Sequence, residues 1–140
     1  MSLRPDSDLV AMYLVDLYPQ GPWVLTAIHT DRSGTVTKTF SPDTVDQMKA
    51  WVDENNSDHH NIYYSVGIPR KTLNRKAARE DIEAVQFLHV DIDPPTGIDI
   101  EIARQQALSM LENGKDGIPP PTVVINSGGG VQALWRLKER

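Results

Sequence analysis

The sequence contains no cysteine. Disulfides and thiolate metal sites are therefore excluded, and any metal must be held by oxygen or imidazole, which favours Mg²⁺ or Mn²⁺. Nor is there an apolar run approaching the length of a membrane span, or a basic stretch followed by an apolar one at the N-terminus. The expectation is a cytoplasmic protein with no membrane partner. Positive charge is in deficit too: the formal net charge of −5 argues against a general nucleic-acid coat protein. Internal repeats, low-complexity segments and a convincing linker are also missing. What remains, 39% hydrophobic and 24% charged over 140 residues, is enough to build the core of a single domain over residues 1–140.

Segments 23–30 and 35–40 flank Asp31-Arg32-Ser33-Gly34 and predict a hairpin. Ser41-Pro42 supplies an N-cap and a first-turn proline for a helix carrying Val45, Met48, Trp51 and Val52 at helical spacing, ending near Asn55-Asn56. Residues 61–68 predict a strand, the basic stretch that follows a loop or irregular helix, and residues 84–93 another strand. Asp99 caps a helix whose stripe is Ile100, Ala103, Ala107, Met110 and Leu111, and Gly114 ends it. Pro119-Pro120-Pro121 leads stiffly into a strand over 122–126, and an alternating segment over 131–137 closes the pattern. Val131, Ala133, Trp135 and Leu137 fall on one face of that segment, and Gln132, Leu134 and Arg136 on the other. Strands mixed with helices in this order predict an α+β (mixed α/β) fold, with a central, mostly antiparallel sheet covered by helices on one face.

The most informative stretch is His89-Val90-Asp91-Ile92-Asp93-Pro94-Pro95. On a strand Asp91 and Asp93 project the same way, about 7 Å apart, and two anions so close call for a cation between them. Leu88, Val90 and Ile92 form the face expected to pack; Phe87, His89, Asp91 and Asp93 form the other. Carboxylate oxygens bind hard divalent cations, which neutralise phosphates and activate an attacking oxygen. His89 is a further candidate ligand. The plain alternative is a strand running into an Asp-Pro-Pro turn.

Ser127-Gly128-Gly129-Gly130 has a plain explanation too, a tight hairpin turn, but glycines also let backbone N–H groups converge on a phosphate, with Ser127 adding a hydroxyl. Beside the two aspartates, a triphosphate site is the better reading. Arg70, Lys71, Arg75, Lys76 and Arg79 crowd into ten residues without an acid, either as a solvated surface or as a contact to nucleic-acid or nucleotide phosphates. Of Tyr63 and Tyr64, adjacent on one strand, one must face the core while the other is free to stack a base.

Asp91-Ile92-Asp93, then a helix, then a strand ending in Ser127-Gly128-Gly129-Gly130 with Gln132 and Trp135 (INSGGGVQALWRL), resemble the archaeo-eukaryotic primase superfamily, above all the primase-polymerase domains of plasmid and phage replication proteins. The segments NIYYSVGIPRK and REDIEAVQFLHVDID are similar to the lead-in to that family's first motif, so the similarity spans roughly residues 61–137. The resemblance implies an RRM-like sheet and metal-dependent transfer of nucleotides onto a primer or initiating nucleotide on a single-stranded DNA template. It implies Asp91 and Asp93 as catalytic metal ligands for Mg²⁺ or Mn²⁺, with Ser127, the Gly128–Gly130 backbone and Gln132 on the nucleoside triphosphate. Arg70, Lys71, Arg75 and Lys76 would draw in template or nucleotide phosphates. Two departures stand out. Gln132 lies nearest to where many members carry histidine, and it carries no positive charge. The third acidic motif has no counterpart before Arg140, so residues 1–140 are expected to be the N-terminal part of such a domain, with a helicase or other replication domain beyond.

Two other functions fit parts of the pattern. A catalytically silent module would hold nucleotide or single-stranded DNA for a neighbouring domain. A rolling-circle replication nickase is suggested by His89-Val90-Asp91, one substitution from a His-hydrophobic-His metal motif; it needs a tyrosine nucleophile, for which Tyr13 and Tyr18 are the helical candidates, although they precede the motif.

Overall fold

The strand expected over 84–93 is broken at Gln86. In the computed structural model, which describes residues 4–138, strands run over Ile82–Val85 and Phe87–Ile92. Gln86 spends its carbonyl on the N–H of Leu137 at 2.8 Å. The α+β class is observed, with three α-helices and eight strands in antiparallel sheets among the described residues and no closed barrel. Instead of one central sheet, the strands form two three-stranded sheets and a two-stranded ribbon. The chain divides into two compact units, residues 1–84 and 85–140.

In the first unit, α1 (Ser7–Leu17) begins where the Asp6 carboxylate accepts the N–H groups of Asp8 and Leu9 at 3.0 and 3.1 Å. The predicted hairpin is present as β1 (Trp23–His29) and β2 (Thr35–Phe40), in register from Trp23↔Phe40 to Ile28↔Thr35. Past Ser41-Pro42 the chain makes one 3₁₀ turn before α2 (Val45–Ser57), and β3 (His60–Tyr64) then pairs with the free side of β1. Trp23, Leu25 and Phe40 bury one sheet face against Ala11 and Leu14 of α1 and Met48 and Val52 of α2. Each large side chain so buried contributes about 1.5–3 kcal/mol.

Two short strands, β4 (Gly67–Pro69) and β5 (Ile82–Val85), form the ribbon. The basic segment between them is an ordered loop held by one apolar plug. Leu73 is only 4% exposed, and its backbone is clamped by Thr39 of β2, whose hydroxyl accepts the Leu73 N–H at 2.9 Å and donates to the Leu73 carbonyl at 2.8 Å.

In the second unit, β6 (Phe87–Ile92) and β7 (Val123–Asn126) flank β8 (Val131–Arg136), both antiparallel to it. Between β6 and β7 lies α3 (Ile100–Asn113). The Asp99 carboxylate caps it through the N–H groups of Glu101 and Ile102, and Gly114 ends it in the left-handed region at φ 61°, where an added Cβ would lie 2.7 Å from the Ile118 carbonyl oxygen. Helix α3 packs Ala107 and Leu111 on Val131 and Ala133, with Ile92, Leu108 and Trp135 around them.

The packing face is narrower than the sequence predicts. Ile92 packs, but Leu88 and Val90 are 57% and 37% exposed, while Phe87, on the opposite face, is buried. In α3 only Ala103, Ala107 and Leu111 of the expected stripe are buried, and Ile100 and Met110 stay exposed. One helix meeting the sheet chiefly through β8 does not cover the apolar outer strand. For the first unit, Leu73→Ala is expected to cost about 2–5 kcal/mol, the usual range for a buried leucine. Urea denaturation followed by far-UV circular dichroism would show the lowered midpoint.

Candidate functional site

Strand β6 pairs with β8 in a register that sets Asp91 opposite Gln132, His89 opposite Leu134 and Phe87 opposite Arg136. Residues directly opposite in an antiparallel pair share a face, with Cβ atoms about 4.5–5.5 Å apart. Gln132 is therefore the immediate neighbour of Asp91, on the face away from α3. His89 stands two residues before Asp91 on the same face and is exposed. Leu134, between them in pattern, is buried, and the Arg136 guanidinium lies 5.0 Å from the centre of the Phe87 ring.

Asp93 is placed differently. It follows the last paired residue of β6, Ile92, so strand alternation does not extend to it. It lines a cavity of about 180 Å³ together with Pro94, Arg104, Gly129 and Gly130, to which Asp91 does not contribute. Both carboxylates are exposed, and neither belongs to the ion pairs among the described residues, which join Arg32 to Asp58, Lys49 to Asp8, Arg75 to Asp81 and Arg104 to Glu101. No group of three histidine or acidic side chains among the described residues is arranged to hold a metal. Two free carboxylates nonetheless suit Mg²⁺ or Mn²⁺, because such ions are commonly bound by one or two carboxylates with water and substrate phosphate completing the shell.

The glycine turn between β7 and β8 comes down on the backbone joining the two aspartates. A Cβ at Gly130 would lie 2.5 Å from the Ile92 carbonyl oxygen and 3.6 Å from the Asp93 Cα, so only glycine permits this approach. Within the turn, Ser127 N–H donates to the Gly130 carbonyl at 3.1 Å, Gly128 N–H to Asn126 Oδ1 at 3.0 Å, and Gly130 N–H to Ser127 Oγ at 3.1 Å. The convergent amides expected to cradle phosphate are thus largely committed to oxygens of the turn itself and of Asn126. Two donors remain for a ligand: the Ser127 hydroxyl hydrogen, since that oxygen is used only as an acceptor, and the Gly129 N–H.

Sequence reasoning missed Arg104. Its guanidinium donates to the Gly128 carbonyl at 3.2 Å and pairs with Glu101, while its side chain is only 17% exposed. The signal was legible: Arg104 precedes Ala107, Leu108 and Leu111 by three, four and seven residues, which puts it on the stripe that packs.

The basic residues Arg70, Lys71, Arg75 and Lys76 all lie in the first unit, exposed. Arg75 is already engaged. Its two terminal nitrogens donate to the Asp81 carboxylate at 2.7 and 3.0 Å, and the Ala78 N–H adds a third bond at 2.8 Å. These bonds, the guanidinium first, hold the Asp81 carboxyl below the usual carboxylate range. Arg70 N–H donates to the Asp81 carbonyl at 2.7 Å and closes the loop. Of the two tyrosines, Tyr64 turns to the core, its hydroxyl 2.6 Å from that of Tyr13, and Tyr63 is half exposed. Burial raises both the Tyr13 and Tyr64 phenols above their ordinary range. The Tyr13 hydroxyl is thus engaged by Tyr64, and Tyr18 sits at the C-terminal cap of α1.

No protein-family model, no curated protein and no solved structure matches the chain. Among the described residues no helix is long and apolar enough to cross a membrane.

Gly130→Ala is expected to destabilise the second unit by about 1–3 kcal/mol, the usual cost of forcing atoms into a packed position. Urea denaturation followed by Trp135 fluorescence in a Trp23→Phe/Trp51→Phe background would measure it. The depressed Asp81 carboxyl gives the first unit stability that is complete above the ordinary carboxyl value and is lost as pH falls from about 4 through the lower folded value. Asp81→Asn should therefore be less stable than wild type at pH 7 and should lose less on acidification to pH 2; parallel slopes for the two proteins would show that the Arg75–Asp81 contact does not couple to folding.

Proposed function

We propose that this chain is a metal-dependent nucleotidyltransferase of the primase-polymerase type, binding nucleoside triphosphates at the β6–β8 end of the second unit and acting on a single-stranded DNA template. The observation that supports this most is the meeting of two motifs some 35 residues apart in sequence: Asp91 opposite Gln132, and the Ser127–Gly130 turn packed on the backbone between Asp91 and Asp93.

Asp91 and Asp93 would hold Mg²⁺ or Mn²⁺, which when bound neutralises phosphate charge and lowers the pKa of an attacking hydroxyl. Because Asp93 sits beyond the paired strand, its side chain must turn toward Asp91 for both to share one ion. The Gln132 amide, half-buried beside Asp91, donates a hydrogen bond to a phosphate oxygen without adding charge. Ser127 donates its hydroxyl while its oxygen keeps the Gly130 N–H, so it binds phosphate without dismantling the turn. Arg70, Lys71 and Lys76 of the first unit supply exposed cations for template phosphates, and Arg75, committed to Asp81, acts by holding their loop in shape.

A silent nucleotide-binding module remains the second reading, favoured by one observation: no third carboxylate joins the pair among the described residues. Calorimetric titration of ATP and dATP with Mn²⁺ separates the two. Nucleotidyl transfer requires binding that disappears in chelator and weakens roughly tenfold or more in Asp91→Ala/Asp93→Ala. Binding indifferent to chelator and to both substitutions would favour the silent module, and no binding by wild type would remove both. Primer extension by residues 1–140 is expected to be weak or absent, because two carboxylates under-neutralise two cations.

A further inference from the structure

The peptide between Gly128 and Gly129 is the one unit of the glycine turn that the turn itself does not hold. The preceding peptides are fixed through the N–H groups of Ser127 and Gly128, and the following one through the Gly130 N–H. Peptide planes flanked by glycines reorient readily, since no Cβ restricts them, and Gly128 already sits at φ +86°. What fixes this plane comes from outside: Arg104 of α3, whose Nη2 donates to the Gly128 carbonyl while Glu101 holds Nη1.

In a trans peptide the C=O and N–H point in opposite directions. With the carbonyl drawn to Arg104, the Gly129 N–H points away from the guanidinium. Asp91 and Gln132 lie on the sheet face away from α3, since α3 covers the opposite face through Val131 and Ala133. We infer that Arg104 is a positioning residue that orients the Gly128–Gly129 peptide so that the Gly129 N–H becomes a phosphate donor on the Asp91–Gln132 side. This rests on the nucleotide-binding function proposed above and adds a direction to it. The triphosphate lies on the outer side of the turn, and the small cavity between α3 and Gly129 is not its pocket.

The test uses ¹⁵N-labelled residues 1–140 and Mg²⁺ with inorganic triphosphate as the probe. In wild type the Gly129 amide should shift most among the turn amides on titration. Arg104→Ala should displace the Gly129 resonance in the free protein, leave those of Gly128 and Gly130 near their positions, and weaken triphosphate binding roughly tenfold, the worth of one hydrogen bond to a charged group. Arg104→Lys, which keeps a donor within reach of the carbonyl, should recover part of both. Gly129→Pro removes the N–H itself, at a glycine whose φ lies outside the left-handed region and whose added Cβ meets nothing within 4 Å. It should weaken binding as Arg104→Ala does, and the two together should cost no more than either alone. Wild-type binding with an unmoved Gly129 resonance and unchanged affinity in Arg104→Ala would overturn the inference alone, as would full additivity of the two substitutions. Absence of triphosphate binding by wild type would overturn both the inference and the nucleotide-binding function.

Discussion

The pairing of β6 with β8 is the constraint on which the second unit depends. A strand repeats every two residues, so a slip of one position would send Gln132 to the α3 side and expose Val131 and Ala133. Burial of Val131 and Ala133 beneath Ala107 and Leu111 therefore fixes the register, and the register in turn decides which polar side chain stands beside Asp91. Gly130 adds a second lock, since its contact with the Ile92 carbonyl exists only in this alignment. Apolar packing on one face thus determines which side chains stand together on the other.

In the first unit the order of causes is similar but the anchor is a loop residue. Helices α1 and α2 cover one face of β2-β1-β3, and Thr39 ties Leu73 to β2. Asp81, largely buried, is made tolerable by the Arg75 guanidinium and the Ala78 N–H, in line with the rule that a buried charge needs a partner and hydrogen bonds. One of the five cations of this stretch therefore has an internal role: Arg75 organises the loop that displays its neighbours.

Much of the architecture was legible because it is local. Asp99 and Gly114 mark the ends of α3 by capping chemistry, and the hairpin is declared by its turn residues. The Gln132–Leu134–Arg136 face follows from alternation alone. What escaped was set by distance in space. The break at Gln86 marks a change of partner, β5 pairing with β4 and β6 with β8, and no pattern in 84–93 announces it. The exposure of Leu88 and Val90 reflects how much sheet one helix covers, which strand periodicity does not encode. The self-satisfied amides of the glycine turn were invisible because they depend on where Asn126 and Ser127 aim their side chains. The different settings of Asp91 and Asp93 escaped because the ladder ends at Ile92, a boundary that alternation in the sequence does not mark.

The clamp of Thr39 on Leu73 reaches beyond stability. A free ten-residue basic segment would have to surrender backbone and side-chain freedom each time it met a polyanion, and that ordering would be subtracted from every encounter. Here the backbone freedom is already gone on folding, taken by Leu73 in its socket and by Arg75 on Asp81. Arg70, Lys71 and Lys76 therefore leave the loop from backbone positions that the fold has already set, while their exposed side chains keep their own freedom.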